Sequence, residues 1–163
     1  GVHTPYDVCV SLILTILAVA LINRFYGVIS GKNNLLKLSV ALGVISVALC
    51  VYSYVLASLG YIELGQINDC FKSGGAGLGF AVGMYIEKRY IDFDVRTPKA
   101  WMQPIKLLCG IAGALLLKEL PKLIASENLP LDFIRYFITV MWILVAFPMI
   151  IKKLVKKSQK VDA

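Results

Sequence analysis

Charged residues punctuate this chain at intervals that leave long apolar runs between them. No Asp, Glu, Lys or Arg occurs in the 16 residues between Asp7 and Arg24, the 25 between Lys37 and Glu63, or the 16 between Arg135 and Lys152. A helix needs about 20 mostly apolar residues to cross a bilayer, and flanking lysines or arginines snorkel to lengthen a short run. These three runs predict transmembrane helices. Two shorter runs, 14 residues between Lys72 and Glu87 and 11 between Lys106 and Lys118, reach the same length over 73–90 and 104–124 if their end charges snorkel. The pattern predicts an all-α fold, a polytopic transmembrane bundle of about five helices.

Composition sharpens this. Hydrophobic residues make up 58% of the chain and charged residues 17%, with a mean hydropathy of +0.76. That is too apolar for an ordinary soluble domain. The first apolar run is not read as a signal peptide, since no basic segment precedes it and no small-residue cleavage site follows.

Basic residues then orient the bundle. With five crossings, 13 of the 17 Lys and Arg residues fall on one side, in the connections after the first and third helices and in the C-terminal tail. Lys72, Lys118, Lys122 and Arg135 fall on the other. The positive-inside rule places the tail in the cytoplasm and His3 and Asp7 outside. The net charge of +7 includes five lysines of the tail segment "KKLVKKSQK", directly after a span, where anionic head groups attract them. A topogenic anchor explains that tail, membrane lipids are its expected partners, and nucleic-acid binding is not implied. The sequence does not define an oligomeric state.

Most polar positions inside the runs carry a structural reading. Ser11, Thr15, Ser46, Ser53, Ser58 and Thr139 can hydrogen-bond their own helix backbone. Cys9, Cys50, Cys70 and Cys109 show no metal-binding spacing, so no metal or other cofactor is expected. Gly75, Gly79 and Gly83 recur every fourth residue, which predicts a smooth helix face for close packing, and no phosphate-cradling motif surrounds them. The mixed charges and aromatics from Glu87 to Arg96, followed by Trp101, read as an interfacial connection. No charge is expected deep in a span apart from Lys118 and Glu119 near an end, which argues against a proton-coupled transporter. Pro148 is expected to bend the last helix.

The stretch "GVHTPYDV" carries the candidate chemistry. Thr4 suits an N-cap, Pro5 the first helical position, and Asp7 completes a T-x-x-D capping box, so a helix start explains it without catalysis. The same geometry brings the chain's single histidine, His3, beside Asp7. A carboxylate that accepts one imidazole N–H leaves the other nitrogen as an oriented base or nucleophile.

These eight residues resemble the end of the third signature block, S-R-x5-H-x3-D, of the type 2 phosphatidic acid phosphatase superfamily, whose bacterial members often read "YLGVHTPxDV". A weaker likeness lies in "GLGFAVGMYIEKRYIDFD", which resembles a glycine-rich helix in an extra membrane region carried by some bacterial members. The resemblance implies that His3 is a nucleophile forming a phosphohistidine and that Asp7 orients it. It implies a lipid phosphate substrate, hydrolase activity, no metal, and a bacterial plasma membrane location. The family's Ser-Arg pair and its K-x6-R-P and P-S-G-H blocks do not occur in this sequence. The expectation is therefore the C-terminal part of a longer enzyme, inactive alone: residues 1–30 end the catalytic core and 31–163 add about four further helices with a basic tail. The alternative is a non-enzymatic membrane scaffold or permease subunit in which "HTPYD" caps a helix.

Overall fold

The computed structural model describes residues 5–29, 32–93, 102–124 and 128–161. Their regular structure is helical throughout: α1 (Pro5–Ile29), α2 (Lys32–Ser58), α3 (Leu64–Ile86), α4 (Met102–Ile124), α5 (Leu129–Met141) and α6 (Phe147–Val161). A π-helical turn, Glu87–Ile91, prolongs α3, and another, Trp142–Ala146, joins α5 to α6 without a break. The described residues thus form five helical rods and no strand, as the hydropathy pattern predicts. Two rods are long and apolar enough to cross a membrane: Asn34–Ser58, with mean hydropathy 2.2, and Leu129–Leu154, with 2.0.

Two compact units divide the chain at Leu38 and Ser39. In the first, α1 presents Val8, Leu12, Ile16 and Leu21 to its surroundings. Thr15 returns its hydroxyl to the Ser11 carbonyl at 2.7 Å. A helix with apolar residues on all sides and the Thr15 hydroxyl satisfied by its own backbone suits a lipid environment.

In the second unit α3 is the central element, and glycines let it be approached from two sides. Towards α2, a Cβ on Gly74 would stand 3.0 Å from the Ser46 carbonyl oxygen and would collide with Cys50 Sγ, while Gly77 faces Ser46. Ser39 ties the far end of this antiparallel contact by donating to the Ala81 carbonyl at 2.7 Å. Towards α5, Gly75 meets the Phe133 backbone, a Cβ on Gly79 would lie 2.8 Å from the Phe137 oxygen, and one on Gly83 would lie 3.0 Å from Leu144 Cβ. The every-fourth-residue glycine face is therefore the seam with α5 and its π turn, two rods running in the same direction. Close backbone approach replaces the hydrophobic drive that lipid cannot supply. α4 runs antiparallel to this rod, with Gly110 against Phe147, Gly113 against the Trp142 ring, and Trp142 Nε1 donating to the Gly110 carbonyl at 3.3 Å.

Local chemistry sets the ends. Gly60, at φ +78°, closes α2 with hydrogen bonds from Gly60 N to Ala57 O and from Tyr61 N to Leu56 O, each at 3.0 Å. That is a Schellman motif, whose left-handed residue is normally glycine. Asn128 caps α5 by accepting from Leu131 N at 3.0 Å. At the end of α3, Asp92 takes a left-handed conformation with φ 43°, its N–H bonded to the Glu87 carbonyl at 2.7 Å. The Glu87 carboxylate accepts from Phe93 N at 3.1 Å. Pro148 lies two residues past the end of the Trp142–Ala146 π turn, where the wider turn accommodates a residue that has no N–H to donate.

Candidate functional site

Of the two residues singled out for chemistry, Asp7 stands in the first turn of α1 with an exposed side chain. His3, together with Thr4, lies outside the described residues. α1 is described from Pro5 onward, so the first-turn placement of Asp7 is structural, and its pairing with His3 is an expectation carried by the sequence. Asp94, Arg96, Lys99 and Trp101 of the interfacial connection also lie outside the described residues.

The hydroxyl readings hold where they are described. Ser46, Ser53, Ser58 and Thr139 donate to the carbonyls of Leu42, Cys50, Val55 and Arg135 at 2.7–2.9 Å. Ser39 differs, because its hydroxyl crosses to α3.

The reading of the interior charges needs correction. Arg135, taken as a flank of the last span, is inside the bundle. Arg135 Nη2 lies 2.6 Å from Asp132 Oδ1, and the two side chains are 1% and 0% exposed. The contact is a charge pair without hydrogen-bond alignment: neither carboxylate oxygen, nor any guanidinium nitrogen, has a partner of hydrogen-bond geometry among the described residues. The Arg135 guanidinium also lies 5.5 Å from the centroid of the Tyr136 ring. A spacing of three residues places Asp132 and Arg135 on one face of α5, which lets opposite charges neutralise each other within the helix that buries them. Counting uncharged residues misses this; the signal that finds it is Asp-x-x-Arg directly after the Asn128 cap. Sealed at this level, Arg135 is not exposed to clamp a substrate phosphate, and the pair reads as an internal brace.

At the same end of the seam Lys72 donates to Asp69 at 3.1 Å. That hydrogen bond raises the Lys72 pKa above the ordinary lysine value; partial burial opposes the rise, and the charges of Asp69 and Asp132 add to it. Lys106, counted among the connection residues, is likewise buried, at 9% exposure. Among the described residues no group of three or more His, Cys, Asp or Glu converges as metal ligands would. The cavities between α2 and α3, and between α2 and α5, are lined by apolar side chains apart from Ser39 and the Tyr52, Tyr54 and Cys50 side chains.

A glycine-seamed helical unit with apolar spans and a buried Asp132–Arg135 charge pair is the architecture of an integral membrane protein. The family model for the transmembrane extension of PAP2 superfamily phosphatases matches residues 71–160, from α3 to the end of α6. The chain belongs to that family. No curated protein and no solved structure gave a match.

Proposed function

We propose that this chain is the C-terminal, membrane-embedded part of a lipid-phosphate phosphatase that works through a phosphohistidine. One observation carries the reading: the signature-like "GVHTPYDV" occupies residues 1–8 and the family match occupies 71–160, so two stretches that share no residue point to one superfamily. In this reading an imidazole nitrogen of His3 attacks phosphorus while Asp7 accepts the other ring N–H. The bond from phosphorus to the lipid oxygen breaks, and that oxygen leaves with a proton from a general acid. Water then cleaves the P–N bond, releasing phosphate and restoring the imidazole. The phosphate-clamping cations and the general acid belong to signature blocks that this sequence does not contain, and such clamps supply most of the stabilisation in phosphoryl transfer.

The topology follows from charge. The tail and the connections after α1 and α3 lie in the cytoplasm of a bacterial cell, and the start of α1 lies outside, where a lipid head group in the outer leaflet reaches it. A non-enzymatic scaffold is the second reading, favoured by the seam between α3 and α5, which builds a stable unit without any reacting group.

The test is phosphate release from dioctanoyl phosphatidate by the full-length parent in detergent. His3→Ala abolishes turnover, and Asp7→Asn slows it about a hundredfold or more, because the imidazole loses its orienting carboxylate. Wild-type rates in both folded variants would return "HTPYD" to a helix cap and leave the scaffold reading standing.

A further inference from the structure

α4 carries a lysine that has no counter-ion among the described residues. Lys106 Nζ is sealed from solvent and has no hydrogen-bond acceptor among the described residues. Its neighbour is the Phe93 ring, whose centroid lies 5.5 Å away. A ring face returns only part of what a buried ammonium loses on leaving water, so the charge is left largely uncompensated.

The lysine lines one end of a cavity of about 410 Å³ between α4 and the α5–α6 rod, closed at that end by Phe93 and Gln103. Beyond the ammonium the walls are Leu107, Ile111, Leu115, Ile143 and Phe147. Leu107 and Ile143, 64% and 49% exposed, also face the outside of the unit, so the slot opens sideways. Lys118 stands at its far end, about 18 Å further along α4 at 1.5 Å per residue. The two ends differ in charge. Lys118 Nζ lies 3.7 Å from the Glu119 carboxylate, whereas Lys106 has no such partner among the described residues. A second ammonium reinforces the Lys106 end, because Lys152 donates to the carbonyl of Ile91, two residues before Phe93. The early turns of α4 add the positive end of a helix dipole.

We propose that this slot binds an anionic membrane lipid, its phosphate head on Lys106 and one acyl chain along Leu107, Ile111 and Ile143. A cation at one end and hydrocarbon walls along the rest complement an amphiphile; a free anion would leave the apolar length unfilled. The site shares no residue with the "GVHTPYDV" stretch and stands whether or not the chain takes part in phosphatase chemistry.

Native mass spectrometry of the detergent-purified chain tests it, with dioleoyl phosphatidylglycerol, dioleoyl phosphatidylcholine and inorganic phosphate as separate probes, on wild type, Lys106→Gln and Lys106→Met. Wild type retains phosphatidylglycerol in preference to phosphatidylcholine. Both variants bind phosphatidylglycerol about tenfold more weakly, the loss expected for one charge-assisted contact. Lys106→Met removes an unpaired buried charge, so its melting temperature in lipid-free detergent does not fall and weakened binding is not a folding defect. Equal retention of the two lipids by wild type overturns the proposal, as does wild-type retention of phosphatidylglycerol by Lys106→Met. Displacement of the lipid by equimolar inorganic phosphate would make this a free-anion site and overturn it too.

Discussion

Arg135 and Asp132 face each other across one turn of α5, 2.6 Å apart and closed off from solvent. The rod that begins with this pair supplies the 26-residue apolar stretch Leu129–Leu154. It accommodates two full charges because each cancels the other before either meets lipid.

Breaking the pair is expected to cost far more than deleting it. Arg135→Met or Asp132→Leu alone leaves an uncompensated buried charge and lowers stability by about 3–5 kcal/mol, while the double variant recovers most of the loss. Thermal melts of the four proteins in one detergent form the double-mutant cycle. A double variant whose loss equals the sum of the two single losses would show that the residues act separately.

The glycine seam predicts a position-specific cost. Gly79→Ala places a methyl 2.8 Å from the Phe137 oxygen and 3.2 Å from Val140 Cβ, forcing α3 and α5 apart at about 1–3 kcal/mol. Gly65→Ala, in the same helix with nothing within 4 Å, is neutral or stabilising by up to about 1 kcal/mol on helix propensity. Equal melting temperatures for the two variants would dissolve the seam as an explanation.

Trp142 is both wedge and donor. Trp142→Phe keeps a ring against Gly113 but leaves the Gly110 carbonyl without the indole N–H, at about 1 kcal/mol. Gly113→Ala is expected to cost more, since its methyl would lie 2.6 Å from ring atom Cε2. Comparing the two in guanidinium or sodium dodecyl sulfate unfolding ranks wedge against hydrogen bond; a costlier Trp142→Phe contradicts the ranking.

Lys72 supplies the pH dependence. Its pKa is raised, chiefly by the hydrogen bond to Asp69, so the stabilisation is complete below the ordinary lysine value and disappears as pH rises through the raised one. Titrating ¹³C-dimethylated lysines by NMR should place Lys72 above its exposed neighbours, and Asp69→Asn should bring it back down. A Lys72 signal that ignores this substitution would assign the shift elsewhere.

Much of the unit was legible from residue order because the features concerned are local. The hydroxyl bonds of Ser46, Ser53, Ser58 and Thr139 join residues three or four apart on one helix. Gly75, Gly79 and Gly83 announce a packing face through their period alone. The partner of that face was not legible, since nothing in the spacing distinguishes α5 from α2, and Gly74 and Gly77 serve α2 on the adjacent side. The candidate site divides in the same way. The "GVHTPYDV" stretch is a local motif with a family likeness, whereas the burial of Lys106 depends on Phe93 and on a rod that begins more than 20 residues later.

By itself the sequence determined that this is a helical membrane protein with glycine-lined helices and a phosphatase-family likeness at its start, because hydropathy, period and motif are properties of neighbouring residues. Only the tertiary structure decided that Arg135 turns inward to Asp132, that Lys106 is buried with no anion beside it among the described residues, and that α5 receives the glycine face. Each of those outcomes depends on the rotation of a helix about its own axis. That rotation is set by which rods pack together, and charge counts along the chain carry no information about it.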